Sequence, residues 1–447
     1  MHRRTFIKNA IIVNEGRTFV GSLVIDDDRI EEIIEGQDVQ PQLPPDSIID
    51  AEGCYLLPGV IDEHVHFRDP GLTAKGNFYT ESRAAAAGGV TTVIDMPNTV
   101  PPTVTKERLL QKIEIAQQQS LVNFGFFLGA TPDNAARLKD VNPRLVAGIK
   151  LFMGSSTGEL QVEDRPTLRT IFEQSQLPIM VHCEDTPMIT AKMKAYKKKY
   201  GEDPHVRYHA EIRPSEACVK STKEAIALAR EFNVKLHVAH ITTAAELDLF
   251  DPNDKQITAE ACLPHLMFTS EDYERLGARI KCNPAVKYDT DRAAIRAALT
   301  DGRIRTIGTD HAPHRISDKI GGAAKATSGM PFVQFSLVSM LELVDEGVLP
   351  IERMVELMCH NPARVFDIEN RGFLRQGYMA DLVLIKPHSP WTLTPNRIES
   401  KCNWSPMEGH TFNWRVMRTF VNGRLVYNKG VITNENLRGR MITYMPR

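Results

Sequence analysis

Apolar, β-branched runs recur through the middle of the chain, at residues 56–61, 90–96, 121–128, 147–152, 178–183, 234–239, 256–261 and 305–308. They are short and do not alternate with polar residues. Amphipathic stretches at 81–87, 106–118, 215–231 and 291–299 separate several of them. A strand buried on both faces gives a continuous apolar run, so the pattern predicts a parallel sheet covered by helices. Eight such units predict an α/β fold of the (β/α)8 barrel type, with a doubly wound open sheet as the competing architecture. No G-x-G-x-x-G opens the region and no Walker sequence occurs, which argues against the nucleotide-binding versions.

The two ends of the chain read differently. Residues 6–13, 23–25 and 30–34 are β-rich, with a turn at 26–29. Pro41, Pro44 and Pro45 then exclude a central strand. Near the other end, 380–385 and 418–427 read as strands, the latter folded at Asn422-Gly423, a hairpin-turn dipeptide. The simplest assembly is one small β-sandwich domain built from both termini, residues 1–55 and 375–447, flanking a barrel over 56–374.

Composition fits this picture. Of 447 residues, 42% are hydrophobic and 25% charged, which excludes a disordered or collagenous chain. With 54 Lys and Arg against 56 Asp and Glu, the net charge of -2 predicts neither nucleic-acid nor anionic-membrane binding. No apolar run approaches the ~18 residues of a membrane span. Asn9, Asn14 and Glu15 interrupt the first apolar stretch, so it reads as a strand rather than a signal peptide. Seven scattered cysteines without a C-x-x-C pair predict neither a disulfide framework nor a cysteine zinc site, and favour a cytoplasmic location.

Polar groups collect where the predicted strands end. His64 and His66 follow the first run, and residues two apart on a strand point the same way. An isolated H-x-H also fits surface or core histidines. His182, His240 and Asp310, however, close three further runs, the positions at which barrels place their chemistry. Imidazole and carboxylate ligands suit Zn²⁺ best, with Mn²⁺, Co²⁺ or Fe²⁺ as alternatives. His237 lies an odd number of residues from His240 and is expected to face the helices as a satisfied core histidine. Lys150, inside an apolar strand, admits two readings: an ammonium snorkelling to water, or a neutral amine that has captured CO₂.

DEHVHFRDPG at 62–71, GGVTTVIDMPNT at 88–99 and GTDHAPH at 308–314, with Lys150, His182 and His240 between them in order, resemble the dihydroorotase family of the amidohydrolase superfamily over essentially the whole chain. The resemblance implies two zinc ions per subunit. His64, His66 and Asp310 would bind one. His182 and His240 would bind the other, with Lys150 bridging as its carbamate and a hydroxide between the ions. Asp310 would carry a proton from this nucleophile to the leaving ring nitrogen. The implied reaction is reversible opening of dihydroorotate to N-carbamoyl-aspartate, whose closing direction serves pyrimidine synthesis. A homodimer and an association with aspartate transcarbamoylase are the partner expectations that come with it.

By the same resemblance, Arg68, Asn98 and His314 hold the substrate carboxylate. Asn283 contacts the ring amide, and Gly329-Met330-Pro331 adds backbone contacts. The alternatives are an ion pair of Arg68 with Asp69 or Glu63, and a turn role for Asn98. Two departures from the family pattern stand out. Some bacterial relatives carry aspartate where this chain has Lys150. EACLPHL at 260–266 is one residue longer than the usual E-V-T-P-H-H, so His265 is assigned a structural or supporting role. Allantoinase and hydantoinase or dihydropyrimidinase share the metal cage and are the rival enzymes. A non-catalytic scaffold is the rival from another class, disfavoured because every expected ligand is present.

Overall fold

The computed structural model describes residues 3–154 and 160–446. Eight parallel strands form the central sheet, in strict sequence order: β1 Val60–Val65, β2 Val90–Asp95, β3 Asn123–Gly129, β4 Gly148–Met153, β5 Ile179–Cys183, β6 Leu236–Val238, β7 Ile257–Cys262 and β8 Thr306–Gly308. Every residue of these strands is buried, which is why the sequence shows unbroken apolar runs and not alternation. The ends meet just past β8. Val65 bridges His311 in parallel, and the His66 amide donates to the His311 carbonyl at 2.7 Å. The architecture is the expected (β/α)8 barrel.

Helices cover the outside, several of them burying one face. In Lys106–Gln119 the buried positions are Leu109, Lys112, Ile113 and Ala116, spaced three and four apart. Lys112 interrupts this stripe for a reason. Its ammonium lies 2.5 Å from Asp95 Oδ2 and donates to the Met96 carbonyl at 2.7 Å. Asp95 Oδ1 in turn accepts from the Phe67 amide at 2.7 Å. A buried pair thus pins the segment that carries His66 and Arg68.

The run at 56–61 is not one strand. It divides at Gly59, leaving Tyr55–Pro58 in a second sheet and Val60 onward in the barrel. A Cβ at Gly59 would meet Thr91 Oγ1 at 2.1 Å, so only glycine allows the crossing. That second sheet has nine strands among the described residues. The N-terminal strands join the C-terminal ones where Tyr55–Pro58 pairs antiparallel with Leu382–Lys386. Ile12, Leu23, Ile25, Leu382 and Phe420 belong to its separate core. Asn422 and Gly423 both have positive φ, as a hairpin turn with inverted handedness requires.

The last residues return to the barrel. The Gly439 and Ile442 amides donate to the carbonyls of Ser120 and Phe124, and Tyr444 packs in one cluster with Ile61, Phe127 and Phe366. No helix of the described residues is long and apolar enough to cross a membrane.

Candidate active site

One cavity at the ends of the barrel strands is lined by His64, His66, Arg68, Asn98, Lys150, Phe152, His182, His240, Asn283 and Asp310, with Ala312, Ser328 and Gly329 completing the wall. These side chains come from segments up to 265 residues apart (64 to 329). Only barrel closure brings them together.

His64 and His66 do not share a face by simple strand alternation alone. A register shift between Asp62 and Val65 gives β1 one extra residue relative to β2, a β-bulge. Three further site residues adopt positive φ: Arg68 (70°), His240 (38°) and Asp310 (48°). Non-glycine residues enter this region only at a cost, and the loops after β1, β6 and β8 use it to turn side chains into the barrel mouth.

Two nitrogen-rich groups face each other across the cavity. Asp310 Oδ1 lies 3.0 Å from His66 Nε2 and 3.4 Å from His64 Nε2. The second group is His182 and His240, whose Nδ1 and Nε2 approach to 3.0 Å. Hydrogen bonds behind the rings set their tautomers. His66 Nδ1 donates to Asn98 Oδ1 at 2.7 Å, and His64 Nδ1 donates to Glu260 at 2.8 Å. Both Nε2 lone pairs are thereby aimed inward.

Burial alone would raise the Asp310 carboxyl, but His64 and His66 outweigh it and hold the group below the usual carboxylate range. Burial pushes Lys150 down to about 8, against the pull of Glu260 and Asp310. Its Nζ is fully buried and has no hydrogen-bond partner among the described residues. An orphaned amine with an accessible neutral form, between two imidazole pairs and a carboxylate, fits a cation-binding role. The ligand atoms of His64, His66 and Asp310 lie within 4.8 Å of one another, close enough for one ion.

Arg68 is buried, 5% exposed, and its pKa is lowered by burial to about 10, so the guanidinium stays charged. Nε donates to the Pro313 carbonyl at 3.1 Å. Among the described residues no carboxylate comes within ion-pair range, so the pairing with Asp69 or Glu63 that the sequence left open is not made. His314 lies beside the cavity, not in its wall. Its Nε2 is 3.1 Å from Arg68 Nη2 and 3.0 Å from the Ser328 carbonyl, and Lys75 Nζ donates to Nδ1 at 3.1 Å. Burial, then Arg68 and Lys75, hold this imidazole strongly toward its neutral form. With Nδ1 accepting from Lys75, the neutral ring donates from Nε2 to the Ser328 carbonyl and packs beside Arg68 Nη2. Asn283 is held through Oδ1, which accepts from Ser328 Oγ at 3.0 Å and lies 3.2 Å from His209 Nε2.

One expectation is corrected. His237 does not face the helices. It points into the barrel, with Nδ1 2.8 Å from Thr258 Oγ1 and Nε2 3.2 Å from Thr306 Oγ1. Its neighbours Leu236 and Val238 take the outer side, in the cluster that includes Leu228 and Ala229 of the helix Ser215–Phe232. The count from His240 fails because β6 ends at Val238 and His240 has left-handed backbone, which breaks the two-residue period. His265 holds a loop: its Nε2 lies 3.0 Å from the Pro284 carbonyl.

The sequence reading passed over Glu260 and Glu184. Glu260 binds His64 Nδ1 and also accepts from the His240 amide at 3.3 Å, so it touches both nitrogen groups. Glu184 Oε2 lies 3.1 Å from His182 Nε2 and pairs with Arg213. The available signal was a glutamate at the end of an apolar run, which cannot be buried without partners. Glu63 lies close to Glu260, and burial followed by that neighbouring charge raises its carboxyl well above the ordinary range.

Comparison with known proteins now bears on this geometry. The Amidohydrolase family profile matches residues 55–426. A dihydroorotase of Methanosarcina mazei is 34% identical over 417 residues, covering 90% of each chain. An allantoinase of Bacillus velezensis is 32% identical, covering 95% of this chain and 94% of its own. The solved L-hydantoinase (dihydropyrimidinase) of Arthrobacter aurescens superposes with a TM-score of 0.92 at 29% identity, covering 99% of this chain and all of that one. Profile, sequence relatives and barrel agree: this chain belongs to the amidohydrolase family, a metal-dependent group, and is a hydrolase of cyclic amides.

Proposed function

We propose that this hydrolase is a dihydroorotase, catalysing the reversible hydrolysis of (S)-dihydroorotate to N-carbamoyl-L-aspartate. The carrying observation is Arg68, a buried guanidinium in the cavity wall with no carboxylate in ion-pair range among the described residues. Such a charge is costly unless the ligand supplies the anion, and a guanidinium fork matches a carboxylate. Dihydroorotate has a ring carboxylate. Allantoin, hydantoin and dihydrouracil do not. Asn98 has committed its Oδ1 to His66, and its remaining polar atom, the amide nitrogen, is a donor.

By donor chemistry, His64, His66 and Asp310 would hold one divalent cation and His182 and His240 a second, zinc by preference, with Lys150 as a carbamate completing both. When bound, such ions polarise an amide carbonyl and acidify water. The remaining work belongs to the protein. Arg68 and Asn98 fix the ring by its carboxylate, and Asn283 meets the ring amide. Asp310, anionic at neutral pH, accepts the proton of the attacking water and returns it to the ring nitrogen as the C–N bond breaks.

The direct test is turnover of dihydroorotate against allantoin, hydantoin and dihydrouracil. Preference for dihydroorotate is expected. Preference for an uncharged ring would overturn the assignment in favour of the allantoinase or hydantoinase reading.

Glu260 offers a second measurement. A Glu260→Gln variant keeps the shape but loses the anion that fixes the His64 tautomer. Metal affinity, measured by chelator competition, is expected to fall by about 10–100-fold. Unchanged affinity would show that Glu260 does not orient the ligand.

A further inference from the structure

A second cavity of about 610 Å³ adjoins the active site and shares Asn283 and Ser328 with its wall. Its lining carries Lys194, Lys197, Lys198, Arg213 and Lys281; Arg213 is paired with Glu184 and Lys197 with Glu202, which leaves Lys194, Lys198 and Lys281 as the excess positive charge. The chain as a whole carries a net charge of -2, so this concentration is local and not a consequence of a basic protein.

The helix Thr186–Tyr200 supplies most of it. Thr190, Met193, Lys194, Lys197 and Lys198 follow the three-and-four spacing of one helical face. Ile189 is the only buried residue of this helix, and Lys194 and Lys198 are exposed where they line the cavity. Lys194 and Lys198 stand four apart and repel each other. Lys197 has Glu202 at 3.3 Å, whereas neither Lys194 nor Lys198 has an acidic partner within ion-pair range among the described residues. Stability alone does not favour like charges gathered on one wall of a cleft.

We infer that this cavity is an entrance vestibule that concentrates carboxylate-bearing ligands, the cyclic acid and its open-chain dicarboxylate, ahead of Arg68. A cleft lined by one sign of charge focuses the field and raises local counter-ion concentration. This rests on the dihydroorotase reading and extends it, because it predicts that the dianionic N-carbamoyl-aspartate responds more steeply than the monoanionic ring.

The test uses the whole enzyme with Lys194→Glu and Lys198→Glu combined, and a Lys194→Gln, Lys198→Gln pair as the neutral step. Both positions are exposed, and neither belongs to the catalytic groups. At low ionic strength kcat/KM for dihydroorotate is expected to fall about tenfold in the Glu pair. The Gln pair should lie between, kcat should hold, and N-carbamoyl-aspartate should lose more. Salt at a few tenths molar should erase the differences, since the screening length then drops to a few ångströms. Dihydroorotate turnover that ignores both charge reversal and salt would overturn the vestibule alone. Wild-type enzyme that accepts only uncharged rings would overturn the vestibule and the dihydroorotase reading together.

Discussion

Asp310→Asn is expected to reduce turnover at least about a thousandfold while the protein stays folded. In the proposed mechanism this carboxylate receives the proton; it lines the cavity 3.0 Å from His66 Nε2, and His64 and His66 hold it below the usual carboxylate range. An amide in its place can neither accept that proton nor return it. Asparagine is the informative replacement because residue 310 has φ 48°, a conformation that asparagine tolerates better than other residues with a Cβ. Thermal unfolding should therefore be close to wild type. Metal content should be measured alongside rates, so that loss of a ligand is separated from loss of the proton carrier. A variant with near-normal kcat would remove Asp310 from the chemistry.

Arg68→Ala is expected to act mainly on binding. Truncating one partner of a buried charge pair costs about 2–5 kcal/mol, and each ~1.4 kcal/mol is tenfold in affinity. KM for dihydroorotate should rise accordingly, while turnover of an uncharged ring such as dihydrouracil should not suffer. Stability gives an independent readout. Arg68 is buried with carbonyl and imidazole contacts and, among the described residues, no acid in range, so its removal relieves a desolvation penalty. The melting temperature is expected to hold or rise. A fall in stability with equal losses on charged and uncharged rings would make Arg68 a structural residue and refute the carboxylate clamp.

How much of this site was legible from the chain alone can be judged residue by residue. His64, His66, His182, His240 and Asp310 were legible because each follows a run too apolar to be anything but a buried strand, and strand ends in a barrel share one rim. Lys150 was visible as an anomaly, and its snorkelling reading fell only when its Nζ proved fully buried and without a hydrogen-bond partner among the described residues. Glu260 was passed over because a glutamate closing an apolar run looks like an ordinary strand terminus until its partner, nearly two hundred residues away, is known. His237 was misplaced because alternation counts hold within a strand and fail where the backbone turns left-handed.

The amino-acid sequence by itself determined the eight buried strands, the helices between them and the identity of the groups that close those strands. Those properties follow from local periodicity and from residue chemistry, which the chain carries wherever it goes. Only the tertiary structure decided that Arg68 has no acid in ion-pair range among the described residues, that lysines of the helix Thr186–Tyr200 line a cavity sharing Asn283 and Ser328 with the active site, and which carboxylate stands behind which imidazole. Each of these is a distance between segments remote in sequence, and such distances are fixed by closure of the sheet and packing of the loops across its rim, not by any pattern within one segment.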